Sequence, residues 1–267
     1  SGTNNSALGK NALGANTTAS NNTAIGKDAL AVNTTGAKNT AVGALALDAN
    51  TTGVDNTAIG YESLTSSSTG NDNTALGKES LKDNTTGSNN TALGFQALQN
   101  NTTASNNVAV GYEALDANTT GSNNTAVGAL AGDANTTGLN LTAVGLNAAG
   151  ANTEGDNNSA FGKDSLDANT TGSSNVALGA FALGNNTTAS NNTAVGTSAL
   201  EANTTGTDNV AVGAYALDAV TTGSYNTAVG RSALTTNTGG FNTAIGRNAL
   251  EDNTSGQELV AVGDSCL

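Results

Sequence analysis

The sequence predicts an all-β fold, a β-solenoid or parallel β-roll of sixteen 17-residue coils, and two observations support this prediction. The pattern Ala-x-Gly recurs every 17 residues from Gly9 to Gly263, with one 16-residue step between Gly230 and Gly246. Aligned on that glycine, the unit reads Asn-Asn-Thr-Ala-Val-Gly-x-x-Ala-Leu-x-x-Asn-Thr-Thr-Gly-Ser, and these are positions 1 to 17 below. Position 4 is alanine and position 6 glycine in all sixteen units, which is typical of one structural unit stacked on copies of itself.

Each unit divides into two predicted strands and two turns. β-branched residues at alternating positions predict the first strand at positions 2 to 6, ending in a bend at the glycine. A second strand is predicted near positions 8 to 11. The segment Asn-Thr-Thr-Gly-Ser then forms a loop, because asparagine and glycine suit backbone with positive φ.

The array is predicted to fill residues 1–267 as a single domain. Because both ends fall inside a unit, we expect a fragment of a longer fibre without capping repeats. Consecutive coils stacked at the strand spacing of about 4.8 Å make an elongated object.

Composition excludes several classes of function. The 267 residues contain no histidine, methionine, tryptophan or proline and a single cysteine, Cys266. Nucleophile systems that need histidine, imidazole metal sites and disulfide frameworks are therefore not available. The net charge of −13 with only eight basic residues argues against binding to nucleic acid, and no apolar run is long enough for membrane insertion. We expect no catalytic residues, no cofactor and no metal site.

A stripe of small residues favours self-association. Alternation in the first strand places position 4 and position 6, alanine and glycine, on one face, and positions 3 and 5 on the other. A stripe that never varies is expected where a second chain packs closely, and a closed three-fold ring would hide it. The alternative is that alanine points into a narrow lumen and the larger aliphatic face lies outside. The predicted oligomer interface consists of Ala24, Ala41, Ala58, Ala75, Ala92, Ala109, Ala126 and Ala143.

The repeat resembles a known kind of surface protein. Asn124-Thr125-Ala126-Val127-Gly128, and its variant from Asn107 to Gly111, are similar to the head repeats of YadA-like trimeric autotransporter adhesins. The full 17-residue unit resembles repeats of bacterial and phage tail-fibre-like proteins. The resemblance covers essentially the whole chain. It implies a trimer of parallel, left-handed β-rolls on a cell or virion surface. The unit is longer than the common autotransporter head repeat, and no coiled-coil stalk or membrane anchor occurs in this chain.

Aromatic residues at the variable positions 7 and 8 are candidate partner contacts. Each could instead simply cover the coil beside it. They are Tyr61, Phe95, Tyr112, Phe181 and Tyr215.

Two other motifs have simpler explanations. Asn16-Thr17-Thr18 matches the glycosylation pattern, but its phase with the repeat favours asparagine ladders that satisfy turn backbone. Asp48, Asp116, Asp133 and Asp167 begin a sequence similar to the start of a calcium loop, but the later bidentate glutamate is missing.

The predicted function is that of an extracellular structural or adhesive fibre segment, either an adhesin head or a tail-fibre shaft. It would act as a homotrimer, with host-cell glycans or proteins as possible partners. The alternative is an ice-binding or crystal-binding β-solenoid, suggested by the repeated threonines. Consecutive threonines at positions 14 and 15 argue against it, because they cannot both face one plane in an extended strand.

Overall fold

A computed structural model describes residues 2–266. The described residues form two compact units, which are divided between Thr137 and Gly138. Each is a parallel β-solenoid, and the described residues contain no helix. No segment of that range accordingly forms a helix with the length and hydropathy needed to cross a bilayer.

Each of these two compact units contains eight strands of three residues, which pair in sequence order. The strands of the first unit are β1 Ser6–Leu8, β2 Thr23–Ile25, β3 Thr40–Val42, β4 Thr57–Ile59, β5 Thr74–Leu76, β6 Thr91–Leu93, β7 Val108–Val110 and β8 Thr125–Val127. Those of the second are β9 Thr142–Val144, β10 Ser159–Phe161, β11 Val176–Leu178, β12 Thr193–Val195, β13 Val210–Val212, β14 Thr227–Val229, β15 Thr243–Ile245 and β16 Val260–Val262.

The register places identical repeat positions above one another. Thr40 pairs with Thr57, Ala41 with Ala58 and Val42 with Ile59. The 16-residue step leaves this register intact, because Thr227 pairs with Thr243 across the shortened loop. The predicted solenoid with a 17-residue period is therefore confirmed, and its first strand is shorter than predicted, at positions 3 to 5.

The second predicted strand is wrong. Positions 7 to 12 form turns in which the residues at positions 8 and 10 have positive φ, as at Glu79 (58°) and Leu81 (52°). These turns still bond to neighbouring coils: the backbone N–H of Leu81 donates to the carbonyl of Ala97 at 2.9 Å. Sequence reasoning missed this because leucine rarely adopts positive φ, and here its burial offsets the strain.

The core lies inside each coil and contains both apolar and amide layers. Leucines of position 10 such as Leu30, Leu98 and Leu183 are fully buried, as are the alanines of position 9 from Ala29 onward. Buried asparagines line the rest of the interior at positions 2 and 13.

The direction of the alanine stripe corrects the predicted interface. The alanines of position 4 from Ala24 to Ala244 have no exposed surface within the single chain, so their side chains point into the coil and cannot touch a second chain. The structure has the alternative arrangement, with the aliphatic residues of position 5 outside. The predicted interface residues to which this correction applies are Ala24, Ala41, Ala58, Ala75, Ala92, Ala109, Ala126 and Ala143.

The asparagines form two ladders along the coil axis, which satisfy the buried backbone of the turns. At position 2, the backbone N–H of Asn39 donates to Oδ1 of Asn22, and its Nδ2 donates to the carbonyl of Gly53, both at 2.8 Å. At position 13, Nδ2 of Asn50 donates to Oδ1 of Asn33 at 2.9 Å and to the same Gly53 carbonyl at 3.1 Å. We call the position-13 column the loop ladder.

The loop ladder accounts for the glycosylation-like pattern. Nδ2 of Asn16 donates to the carbonyl of Ala19 at 3.1 Å, and its Oδ1 accepts from Asn33. Asn33 and most later asparagines of the ladder are buried. Their carboxamides are thus engaged inside the coil, as the ladder interpretation predicted.

Candidate partner-binding surfaces

In each compact unit, the outward face of the strands carries two rows of side chains, at positions 3 and 5. Threonine or valine fills most of position 3, and Val, Ile, Leu or Phe fills position 5. Ile25 is 40% exposed and Leu178 is 49% exposed. We call the position-5 side chains the outer aliphatic row; in each unit they follow one another at the strand spacing.

This row is long for an uncovered surface. Eight strands at about 4.8 Å span roughly 34 Å in each unit. Exposed aliphatic side chains normally occur singly, whereas a continuous apolar strip marks an interaction site. The outer aliphatic row is therefore the strongest candidate partner surface in the described residues.

Three of the five candidate aromatics share one column. Tyr61, Phe95 and Tyr112 all occupy position 7 of their repeats and lie in the first compact unit. The rings of Phe95 and Tyr112 are stacked with centroids 5.6 Å apart and an interplanar angle of 14°. Lys78 lies between Tyr61 and Phe95 in the column, and its Nζ is 5.3 Å from the Phe95 ring centroid. Together they form an exposed patch of mixed aromatic and cationic character.

The Glu62 carboxylate lies at one end of this patch. A hydrogen bond with it, followed by its charge, raises the pKa of Tyr61. Lys82 pairs with the same carboxylate at 2.7 Å, so the phenol and the ammonium group share one acidic neighbour.

The other two candidates lie in the second unit, at position 8. Nζ of Lys163 is 4.7 Å from the Phe181 ring centroid, and Tyr215 is exposed. Phe181 and Tyr215 are two coils apart and not stacked on each other. The five aromatics therefore do not form one row.

Sequence reasoning missed a second stacked pair. Tyr225 and Phe241 occupy position 1 of consecutive coils, with ring centroids 5.0 Å apart and an interplanar angle of 16°. They are more exposed than the other aromatics, at 55% and 59%. Their 16-residue separation was the available signal, because it places them at the same repeat position.

Burial raises the pKa of four aspartates at position 11. Asp116 is half-buried, and desolvation, followed by the charges of Glu113, Asp133 and Asp83, raises its pKa to about 6. Burial likewise raises the pKa of Asp48, Asp167 and Asp218. Within residues 2–266 no three Asp, Glu or Cys side chains are arranged to hold a metal ion.

Asp116→Asn should stabilise the chain at neutral pH. Because folding raises this pKa, ionised Asp116 destabilises the fold; the penalty is absent below about pH 4 and complete above about pH 6. We expect the free energy of unfolding at pH 7.5 to rise by about 1 kcal/mol, since solvent screening of a half-buried group reduces the full effect of roughly 3 kcal/mol. Urea denaturation at pH 7.5 and pH 3.5 measures it.

The exposed Asp72→Asn serves as the control and should change little at either pH. An equal gain for Asp116→Asn at both pH values would contradict the assignment of the effect to ionisation.

The fold and these surfaces define a repeat protein of the β-solenoid class. No protein-family model matches the chain, and a search of curated proteins also found no match.

Proposed function

We propose that this chain is a structural and adhesive fibre segment that self-associates through its outer aliphatic row. The observation that carries the proposal is the row itself, in which Ile59, Leu76 and Leu93 follow one another on adjacent strands and remain exposed. Burying them against another copy removes apolar surface from water at about 25 cal/mol per Å².

The closed assembly that we propose for this surface is a homotrimer. A parallel sheet is normally covered on both faces, and here the coil interior covers only one. Three copies arranged around an axis cover each outward face equally and leave no row uncovered, because a closed ring satisfies every copy. In such a ring, identical coils of the three copies would meet at the same height along the axis.

The outer aliphatic row is tested by introducing charge into it. Leu93→Glu combined with Val127→Glu should convert the trimer into single chains, because each buried carboxylate would lie unpaired in an apolar contact. Light scattering coupled to size exclusion should give three times the 25.8-kDa chain mass for the parent and one chain mass for the variant.

Thr86→Glu combined with Thr120→Glu is the matched control, because both threonines are exposed at position 15 and away from this face. It should keep the trimer mass. A parent that has the mass of one chain in dilute buffer would refute the trimer.

Adhesion is the proposed activity of the aromatic side chains. Substituting Tyr61, Phe95, Tyr112, Phe181 and Tyr215 by serine should lower binding to host cells or glycans by at least about ten-fold, because aromatic anchors dominate such contacts. The thermal unfolding midpoint serves as the control for folding. Unchanged adhesion in a well-folded variant would reject these residues as the receptor site.

We place the fibre on a cell or virion surface, where length and repeated display are useful without catalysis. The outward threonines of position 3, which stack in register beside the aliphatic row as at Thr40 and Thr57, favour ice or crystal binding as a second candidate. At position 14 the threonine hydroxyls are already used, since Oγ1 of Thr34 donates to the carbonyl of Thr51 at 3.0 Å. Thermal hysteresis of ice growth would favour this second candidate.

A further inference from the structure

The loop ladder is interrupted at Ser67. In most other coils each asparagine donates to the one before it, as where Nδ2 of Asn101 reaches Oδ1 of Asn84 at 2.8 Å. At the shortened loop, Oδ1 of Asn237 and Nδ2 of Asn253 are also without a partner. Ser67 stands between Asn50 and Asn84, and all three side chains are fully buried. Oδ1 of Asn50 and Oγ of Ser67 are buried without a hydrogen-bond partner.

The next asparagine loses a partner as well. Nδ2 of Asn84 donates to the carbonyl of Gly87 at 3.0 Å. In Asn101 and Asn50 the corresponding group donates both to the carbonyl of position 16 and to the preceding carboxamide. The serine hydroxyl does not provide that second acceptor. Two unpartnered oxygens therefore face the break, and on its far side Asn84 has lost its second acceptor.

We propose that a single water molecule binds inside this coil, beside the missing carboxamide. It would donate to Oδ1 of Asn50 and make a second hydrogen bond with Oγ of Ser67, whereas Nδ2 of Asn84 lies one coil further along the axis and out of its reach. Buried waters make two to four hydrogen bonds, so two partners are enough to hold it. The site also provides space, because a serine side chain has two fewer heavy atoms than asparagine, close to the room of one water, about 30 Å³.

A second interruption of the ladder provides an internal comparison. Val220 occupies the same position, is fully buried, and leaves Oδ1 of Asn203 without a partner. The branched valine side chain fills the space with carbon and offers no hydrogen bond. The ladder is thus hydrated at Ser67 and dry at Val220.

A crystal structure of the full chain that resolves ordered solvent tests the water directly. We expect one peak within hydrogen-bonding distance of Asn50 Oδ1 and Ser67 Oγ, and none beside Val220. Ser67→Asn should remove the peak, and Val220→Ser should create one at the second site. Absence of the peak beside Ser67 in the parent would overturn the proposal.

Hydrogen exchange provides a second readout that does not depend on crystals. Val220→Asn supplies a partner to an orphaned acceptor and should raise amide protection in its coil by about five-fold to a hundred-fold. Ser67→Asn should raise it by less than about five-fold, because a bridging water is nearly as good as a direct hydrogen bond. Equal gains at both sites would contradict hydration at Ser67. If Val220→Asn does not fold, the solvent peak beside Ser67 alone decides the question.

Discussion

Gly179→Ala is expected to destabilise the chain by roughly 3 to 5 kcal/mol, combining a φ that only glycine adopts readily with a backbone clash. Gly179 is at position 6 with φ of 140°, and a Cβ there would lie 2.5 Å from the carbonyl oxygen of Gly196 in the next coil. That oxygen belongs to the main chain of a coil that is hydrogen-bonded to its neighbours, so it cannot shift to relieve the clash. Equilibrium urea denaturation gives the free energy of unfolding.

Gly184→Ala is the matched control, five residues later in the same coil. Its φ is not in the positive region, and the nearest atom to an added Cβ is the Phe181 carbonyl oxygen at 3.2 Å. We expect a change of no more than about 1 kcal/mol, partly offset by the lower entropy of the unfolded chain. Similar losses at Gly179 and Gly184 would show that coil spacing does not impose the glycine.

Leu98→Ala is expected to lower the free energy of unfolding by about 2 to 5 kcal/mol, because it leaves a cavity inside a coil. Leu98 is fully buried, with φ of 53°. Leu98→Gly should cost no more than alanine, unlike in most cores, because glycine relieves that backbone conformation. Urea denaturation of both variants provides the comparison.

Leu93→Ala controls for the residue type within the same coil. Leu93 is on the outer aliphatic row and 41% exposed, so its loss should cost about 1 kcal/mol or less in single chains, prepared by introducing glutamate at Ile59 and Val127 on the same row. A larger loss for Leu93 than for Leu98 under those conditions would contradict the assignment of inside and outside.

The repeat pattern located the first strand because the alternation of its side chains depends on local spacing. The strand is three residues long and not the predicted five, and the invariant glycine is imposed by the next coil, as at Gly179. The second predicted strand failed at Leu81 and its equivalents. Their positive φ is stabilised by contacts with adjacent coils and by burial, which a pattern within one unit does not contain.

The candidate surfaces were predicted less completely. The sequence predicted which aromatics at the variable positions are candidate contacts. It did not predict that Phe95 and Tyr112 stack on each other while Phe181 and Tyr215 stay apart, because this depends on where each side chain lies in the folded coil. The Tyr225–Phe241 stack was overlooked because position 1 is polar in most units.

The sequence by itself determined the class of fold, the period and the register. In a strict 17-residue repeat, each strand pairs with the strand of the next repeat, and residues at the same repeat position lie opposite one another. Only the tertiary structure decided which face of the strand is inside. Alanine and valine are both apolar, so alternation alone leaves two solutions. Closing the coil selects alanine, because the narrow interior must also hold the buried leucine and two asparagine ladders, and the larger aliphatic side chains are left outside.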